Sequence, residues 1–294
     1  MLFYVNDRLV PQEEAVISAT DRGFIYGDGI FETLLLRGGK VFRMMDHLRR
    51  LGESASIIRL KLPWSQEQLA EKIRLTVGEN RASEGIIRVN VSRGVGSWRL
   101  TTKGADEPTL IISLYPPPDY PPETYTKGWP VIVAKGAMAM DPVIPGRAKT
   151  TNRLNLILAK REAEDVGAME ALLLGRSGHL TEGTSTNLFF YSGGKLFTPS
   201  QETGILRGVT REIVIDIARR LDIDVTEGFF KPSELHSSNE AFLTFTTAGV
   251  VPINSVDGIV IGDGGVGPVT RKIMKAYGEV VERETREVAD GVKE

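Results

Sequence analysis

Residues 181–189 read Thr181-Glu182-Gly183-Thr184-Ser185-Thr186-Asn187-Leu188-Phe189, a lone carboxylate among small hydroxyl residues just before an apolar strand, Leu188 to Tyr191. Small residues let backbone approach a flat ligand closely, and the hydroxyls with Asn187 can satisfy its polar edge. Alone, the stretch reads equally well as an ordinary turn with a solvated Glu182. Its company decides. Upstream lies Gly146-Arg147-Ala148-Lys149-Thr150-Thr151-Asn152-Arg153-Leu154, and downstream Gly204-Ile205-Leu206-Arg207-Gly208-Val209-Thr210-Arg211. Together they offer an amine able to form a Schiff base, a carboxylate, and a Gly-Val-Thr helix start suited to phosphate. A fourth piece, Asp21-Arg22-Gly23-Phe24-Ile25-Tyr26-Gly27-Asp28-Gly29-Ile30-Phe31-Glu32-Thr33, stands near the N-terminus.

The chain of 294 residues has room for two domains of ordinary size. A net charge of -2 gives no electrostatic footprint for nucleic acid, and no block of like charge suggests a membrane-surface arm. There is no cysteine, which excludes disulfides, thiolate zinc sites and a cysteine nucleophile together. Asp7 and Arg8 interrupt the N-terminal apolar residues before a signal-peptide core can form, and no apolar run approaches membrane-spanning length. A cytoplasmic protein is expected. His47, His179 and His236 are too scattered for a metal cluster and read as helix-face or loop residues.

Leu2 to Val5 and Arg8 to Val10 read as a hairpin around Asn6-Asp7, and Arg37-Gly38-Gly39-Lys40 as a second hairpin turn after a strand from Ile30 to Leu36. A helical pattern from about Met45 to Ile58 puts Leu48, Leu51, Ala55 and Ile58 on one face. Ser65 and Gln68 have capping-box spacing for a second helix. Strands are expected at Ile86–Val91 and Thr109–Leu114, with a basic glycine-bearing loop containing Arg93, Trp98 and Arg99 between them. The run Pro116-Pro117-Pro118-Asp119-Tyr120-Pro121-Pro122 can continue neither a helix nor a central strand. It divides the chain into a small N-terminal domain (1–115), a stiff linker (116–123) and a larger C-terminal domain (124–294). The second part mixes short strands with helices at about Leu154–Asp165 and Val209–Leu221 and from Pro268. Gly262-Asp263-Gly264-Gly265-Val266-Gly267 satisfies G-x-G-x-x-G, but no strand follows its helix, so it is read as a glycine turn rather than a dinucleotide site.

In order and spacing the four segments resemble the class IV (fold-type IV) pyridoxal-phosphate enzymes, a family of branched-chain aminotransferases, D-amino-acid aminotransferases and aminodeoxychorismate lyases. The resemblance implies an α+β, two-domain fold and pyridoxal 5′-phosphate as cofactor. It implies Lys149 as the Schiff-base lysine, with Arg147 and Arg153 near it in sequence, and Glu182 as partner of the pyridine nitrogen, keeping the ring an electron sink. Asn187 matches the family's Asn-Leu-Phe segment. Gly208, Val209 and Thr210 are expected to hold the phosphate, joined by Arg50 and Thr246. Tyr26, Phe31, Arg88, Arg99, Thr247 and Ala248 are the expected substrate-binding residues.

The implied reaction moves an amino group from an amino acid to a 2-oxo acid in two half-reactions, with branched-chain or hydrophobic L-amino acids favoured. The implied active site lies between the domains near a partner subunit, hence at least a homodimer. The substrate motifs depart from each subfamily. The branched-chain Tyr-x-Arg reads Ile86-Ile87-Arg88, and Arg153 replaces a tyrosine expected after the lysine. The D-specific arginine–histidine pair is represented by Trp98-Arg99 without the histidine. Lys149-x-x-Asn152-Arg153-Leu154 and Thr33 look like the lyases, which keeps lyase and D-amino-acid aminotransferase open. A catalytically silent small-molecule-binding module on the same fold is the alternative from a different class; intact Lys149 and Glu182 speak against it.

Overall fold

A two-residue loop, Gly38-Gly39, with φ of 56° and 72°, folds strand β3 (Gly29–Arg37) back onto β4 (Lys40–Val41). Both positions take the left-handed region that this tight hairpin demands and that glycine adopts without strain. A computed structural model describes residues 1–138 and 148–286 of the protein. These divide into two compact units: Met1–Pro118 with the C-terminal turns from Glu279, and Asp119–Gly278.

The first unit carries β1 (Leu2–Val5), β2 (Arg8–Pro11), α1 (Arg22–Tyr26), β3, β4, α2 (Met44–Ile57), α3 (Gln66–Glu79), β5 (Gly85–Ser92) and β6 (Thr109–Tyr115). Its described strands form one antiparallel sheet in the order β2-β1-β6-β5-β3-β4. The hairpin at Asn6-Asp7, the helix over the Met45 region and the Ser65–Gln68 capping box are all present where the local pattern puts them. Leu48, Leu51 and Ala55 of α2 and Leu69, Ile73 and Val77 of α3 pack on Ile30, Leu34, Val89 and Ile112 of the sheet. Alternation along β3 puts Glu32 on that same helix-covered face.

Glu32 is fully buried, and Arg50 of α2 grips it with two hydrogen bonds of 2.7 Å, from Nε and one Nη. His47, also on the buried face of α2, stands with Nδ1 2.8 Å from Glu32 Oε2. The carboxylate can only accept, so Nδ1 carries the proton. Burial alone would raise the Glu32 carboxyl. The Arg50 charge and hydrogen bonds, with the His47 bond, outweigh that and hold it well below the usual carboxylate range. A depressed carboxyl contributes stability above its unfolded value of about 4.3 and loses it as pH falls toward the folded value. Glu32→Gln is therefore expected to lower stability by about 3 kcal/mol or more at neutral pH, because it removes the buried carboxylate charge that Arg50 and His47 both bond. The gap from wild type should narrow below about pH 4. Thermal unfolding midpoints from pH 3 to 7 test this; a gap that is flat with pH would refute it.

The second unit carries α4 (Glu123–Thr126), β7 (Trp129–Met138), α5 (Leu154–Asp165), β8 (Glu170–Leu174), β9 (Leu180–Gly183), β10 (Asn187–Ser192), β11 (Lys195–Pro199), α6 (Val209–Arg220), β12 (Val225–Gly228), α7 (Pro232–His236), β13 (Glu240–Phe245), β14 (Gly249–Val256), β15 (Ile259–Val260) and α8 (Pro268–Thr285). Its strands run β12-β11-β10-β13-β14-β7-β8-β9, with β15 on β14. β9 also pairs with β10, so the sheet closes into a ring, and the closing pair is Glu182 opposite Asn187. The core includes Val131, Leu172, Leu188, Phe190, Leu243 and Val251.

Three pairs are parallel, β7–β8, β11–β12 and β14–β7, and a helix makes the crossover in each of the first two. α5 makes the first, sitting on small residues: Ala134, Ala159, Ala163 and Ala171 are all buried. α6 makes the second. Arg211, fully buried in its first turn, bonds Pro199 O and Thr198 Oγ1 on β11 and Glu227 on β12, locking the helix start to both strands.

The structure corrects some local readings. Glu182 stands on a strand, so the turn is only Thr184–Thr186. β14 is a full strand despite Pro252, with a register irregularity one residue beyond it where it meets β7. The Gly262–Gly267 stretch is a turn, as read. Glu240 caps the helix beyond it by accepting from the Val269 and Thr270 N–H groups. A Cβ on Gly267 would lie 2.0 Å from Glu240 Cδ.

Candidate active site

Lys149 lies in the connection from β7 to α5, a stretch whose neighbours Ala148 and Thr150 are buried while Lys149 itself is half-buried. Arg147 falls outside the described residues. Lys149 lines one small cleft together with Arg153, Glu182, Thr184, Asn187 and Leu206. Three sequence segments, far apart along the chain, thus supply one concavity. Thr150 Oγ1 donates to Asn152 Oδ1 at 2.6 Å, and Arg153 Nη2 donates to Thr184 O, tying the lysine segment to the turn after Glu182.

Register sets the other side. Glu182 pairs with Asn187, and Asn187 pairs with Thr244, so the three side chains leave the same face of three adjacent strands. Asn187 Nδ2 donates to Glu182 Oε2 and to Leu206 O, both at 3.0 Å, and the Leu206 N–H donates to the same Glu182 oxygen at 3.0 Å. Asn187 is therefore a brace that joins Glu182 to the segment leading into α6. Thr244 Oγ1, on the same row, is buried with no partner among the described atoms.

Gly208 is the N-cap of α6 and brings no capping side chain, while Val209 and Thr210 are buried. The first N–H groups of a helix have no acceptor within it, and its dipole favours an anion there. A Cβ on Gly208 would lie 2.0 Å from Asn187 Oδ1, so only glycine lets this helix end reach the brace.

The turn from β13 to β14 holds Thr246, Thr247 and Ala248. Two tyrosines, Tyr120 within the proline run and Tyr125 just after it, hold that turn. The Tyr120 and Thr247 hydroxyls are 2.8 Å apart, and Tyr125 Oη donates to Ala248 O at 3.3 Å. Tyr120 packs edge-on to Phe245, and burial pushes the Tyr125 phenol up. Sequence reading saw this segment only as a connector.

In the first unit, Phe31 and Arg88 share the sheet face opposite the helices. The Arg88 guanidinium lies 4.0 Å from the Phe31 ring centroid, and its Nε donates to Asn90 Oδ1 at 3.3 Å. Burial pushes the Arg88 guanidinium down from its ordinary value, yet an arginine keeps its charge in proteins. Thr33 stands directly opposite Arg88 on the same face. Arg50, in contrast, is on the helix-covered face with Glu32. Tyr26 packs under Arg22, whose Nη1 donates to the carbonyls of Ser97, Arg99 and Thr101 and so shapes the loop bearing Arg99. The Arg99 side chain is exposed beside Trp98. Asp28 bridges Arg22 and Arg93, and Arg93 donates onward to the Ile58 and Arg59 carbonyls, so Arg93 is committed to the scaffold.

The second unit's donor set fits an aldehyde-bearing aromatic phosphate. An amine and a carboxylate share a small cleft, and a buried helix start without a capping side chain suits a dianion. Among the described residues no group of acidic, histidine or cysteine side chains could hold a metal, and no helix is long and apolar enough to cross a membrane.

Comparison with known proteins agrees with this chemistry. The family model for amino-transferase class IV matches residues 29–256. A putative branched-chain-amino-acid aminotransferase of Methanocaldococcus jannaschii is 33% identical over 95% of this chain and 96% of its own. A D-alanine aminotransferase of Listeria monocytogenes is 32% identical over 96% of each. Among solved structures, a branched-chain amino acid aminotransferase with pyridoxamine 5′-phosphate superposes with a TM-score of 0.91, at 32% identity, over 96% of this chain and 94% of that one. Lys149, Glu182 and the α6 N-terminus all lie within the matched region, and the chain belongs to the class IV aminotransferase family.

Proposed function

We propose that this protein is a pyridoxal 5′-phosphate-dependent aminotransferase acting on branched-chain or other hydrophobic L-amino acids and their 2-oxo acids. The observation that carries the reading is the placing of Lys149 and Glu182 in one cleft, with the α6 N-terminus linked to it through Asn187. When bound, the cofactor supplies an aldehyde that takes up the amino group and a ring that accepts the electron pair freed at the substrate carbon. Lys149 Nζ would hold the cofactor and would serve as the base that moves the proton at the substrate carbon. Glu182 holds a proton at the ring nitrogen, and Asn187 and the Leu206 N–H keep its carboxylate oriented. The N–H groups of Val209 and Thr210 and the Thr210 hydroxyl bind the phosphate, with Arg50 and Thr246 as further assigned contacts. Thr247, Ala248, Tyr26, Phe31 and one arginine, Arg88 or Arg99, are assigned to the substrate. The reading carries with it a cytoplasmic homodimer or higher oligomer, which sedimentation of the purified protein tests.

Titrating the cofactor-loaded protein with single-enantiomer amino acids tests the substrate assignment through its absorbance. Conversion to the pyridoxamine form by L-leucine or L-valine supports it. Conversion only by D-alanine or D-glutamate makes the protein a D-amino-acid aminotransferase. A loaded protein that no amino acid converts, but that acts on 4-amino-4-deoxychorismate, is a lyase, the reading favoured by Thr33 opposite Arg88 and by Lys149-x-x-Asn152-Arg153-Leu154.

Tyr120→Phe removes one hydroxyl from the Thr247 turn and leaves the aromatic packing intact. A single hydrogen bond is worth about 1 kcal/mol, so KM for the amino acid is expected to rise about fivefold. Steady-state kinetics should show kcat within about twofold of wild type, as for lost ground-state binding. A loss confined to kcat would contradict the assignment of this turn to substrate.

A further inference from the structure

We infer that Glu170 is a positioning residue for the Glu182 carboxylate and sets the hydrogen-bonding polarity of the cleft wall; this rests on the proposed cofactor reading. Glu170 opens β8 and is 2% exposed. Its Oε1 accepts from the Ala171 N–H at 2.8 Å, the Thr184 N–H at 3.2 Å and Thr184 Oγ1 at 2.6 Å, and its Oε2 accepts from Thr186 Oγ1 at 3.2 Å. Among the described residues, no cation pairs with it. A buried carboxylate without a counter-charge is costly unless donors converge on it, and three of these four donors come from the turn between Glu182 and Asn187.

The turn has no slack. The Gly183 N–H bonds the Thr186 carbonyl at 2.8 Å, and a Cβ on Gly183 would stand 2.1 Å from Thr186 Oγ1 and 3.1 Å from Glu170. The Glu170 bonds therefore fix the one path by which the chain passes from Glu182 to Asn187. They also fix the Thr184 carbonyl, which accepts from Arg153 in the segment that carries Lys149. Anchor lysine and ring-nitrogen carboxylate are thus referred to one buried carboxylate that itself does not line the cleft.

A second consequence is chemical. Thr184 and Thr186 line the cleft, and each gives its hydroxyl proton to Glu170. A hydroxyl so committed presents only lone pairs elsewhere. The wall beside Glu182 is accordingly an acceptor surface, and Glu170 places a second negative charge behind it. Both favour a protonated ring nitrogen.

The test is Glu170→Gln, in which the shape is kept and the charge removed, compared with wild type in three measurements. These are the melting midpoint without cofactor, the Kd for pyridoxal 5′-phosphate by fluorescence quenching, and the pH dependence of the bound cofactor's absorbance. The expected result is a Kd raised about tenfold and an absorbance transition moved to lower pH, in a cofactor-free protein that still melts cooperatively. Unchanged Kd and pH dependence, with only a lower melting midpoint, would make Glu170 a purely structural carboxylate and overturn the inference. Should Glu170→Gln fail to fold, Thr184→Val removes one of the same donors at nearly constant volume. A Kd raised at least threefold supports the inference, and an unchanged one overturns it. Wild-type protein that takes up no pyridoxal 5′-phosphate fails the cofactor reading itself, a result seen before any variant is compared.

Discussion

Lys149→Ala is expected to lower turnover by about 10⁴-fold or more, while leaving the fold intact. The substitution removes both the amine that anchors the cofactor and the group that carries the proton, and proton transfer alone contributes about 10²–10⁴-fold. Among the described residues no other lysine lines the cleft. The fold should tolerate the change because Lys149 is half-buried and stands in a connection outside any helix or strand, where Thr150 and Arg153 also hold the segment. The decisive measurement is single-turnover absorbance of the variant preloaded with cofactor and mixed with L-leucine. Conversion at a rate within about tenfold of wild type would show that another group moves the proton. A variant that folds, binds cofactor weakly and converts nothing is the expected outcome.

The second large effect is at Glu182, where two substitutions separate charge from scaffold. Glu182→Gln keeps an oxygen to accept from Asn187 Nδ2 and the Leu206 N–H but removes the negative charge. Loss of one preorganised electrostatic group costs about 10²–10³ in kcat, and that range is expected here with the melting midpoint little changed. Glu182→Ala should lose a similar factor in kcat and, in addition, about 1–3 kcal/mol of stability, because two donors are left without their acceptor. Paired kcat and denaturation measurements check both. Equal kcat for wild type and Glu182→Gln would mean that the carboxylate is a brace and not an electrostatic partner of the ring.

Much of the local structure was legible in the chain. Hairpins at Asn6-Asp7 and Gly38-Gly39, the Ser65–Gln68 cap, the apolar stripe of α2 and the start of α6 at Gly208-Val209 are encoded by neighbours a few residues apart. Strand β14 was not legible, because Pro252 argues locally against a strand and only its place between β13 and β7 overrides it. Nor were Tyr120 and Tyr125 as supports of the Thr247–Ala248 turn, since a proline run signals stiffness and says nothing about what its flanking side chains reach.

The sequence by itself determined which chemical groups are present and in what order: an amine at 149, a carboxylate at 182, an uncapped glycine at a helix start at 208 and an acidic residue at 32. Spacing and residue type are local, so short-range rules suffice for them. Only the tertiary structure decided which of these groups meet. Closing the second unit's strands into a ring sets Glu182 against Asn187. The β11–α6–β12 crossover, locked by Arg211, brings the helix start to that pair. The packing of α2 on the first sheet seals Arg50 and His47 around Glu32. Glu170 is the clearest case: nothing around it in the chain marks it, because its partners other than the adjacent Ala171 N–H lie 14 and 16 residues away. The physical reason is that a side chain's partners follow from strand register and burial, which only the folded chain sets, whereas its chemistry travels with the residue.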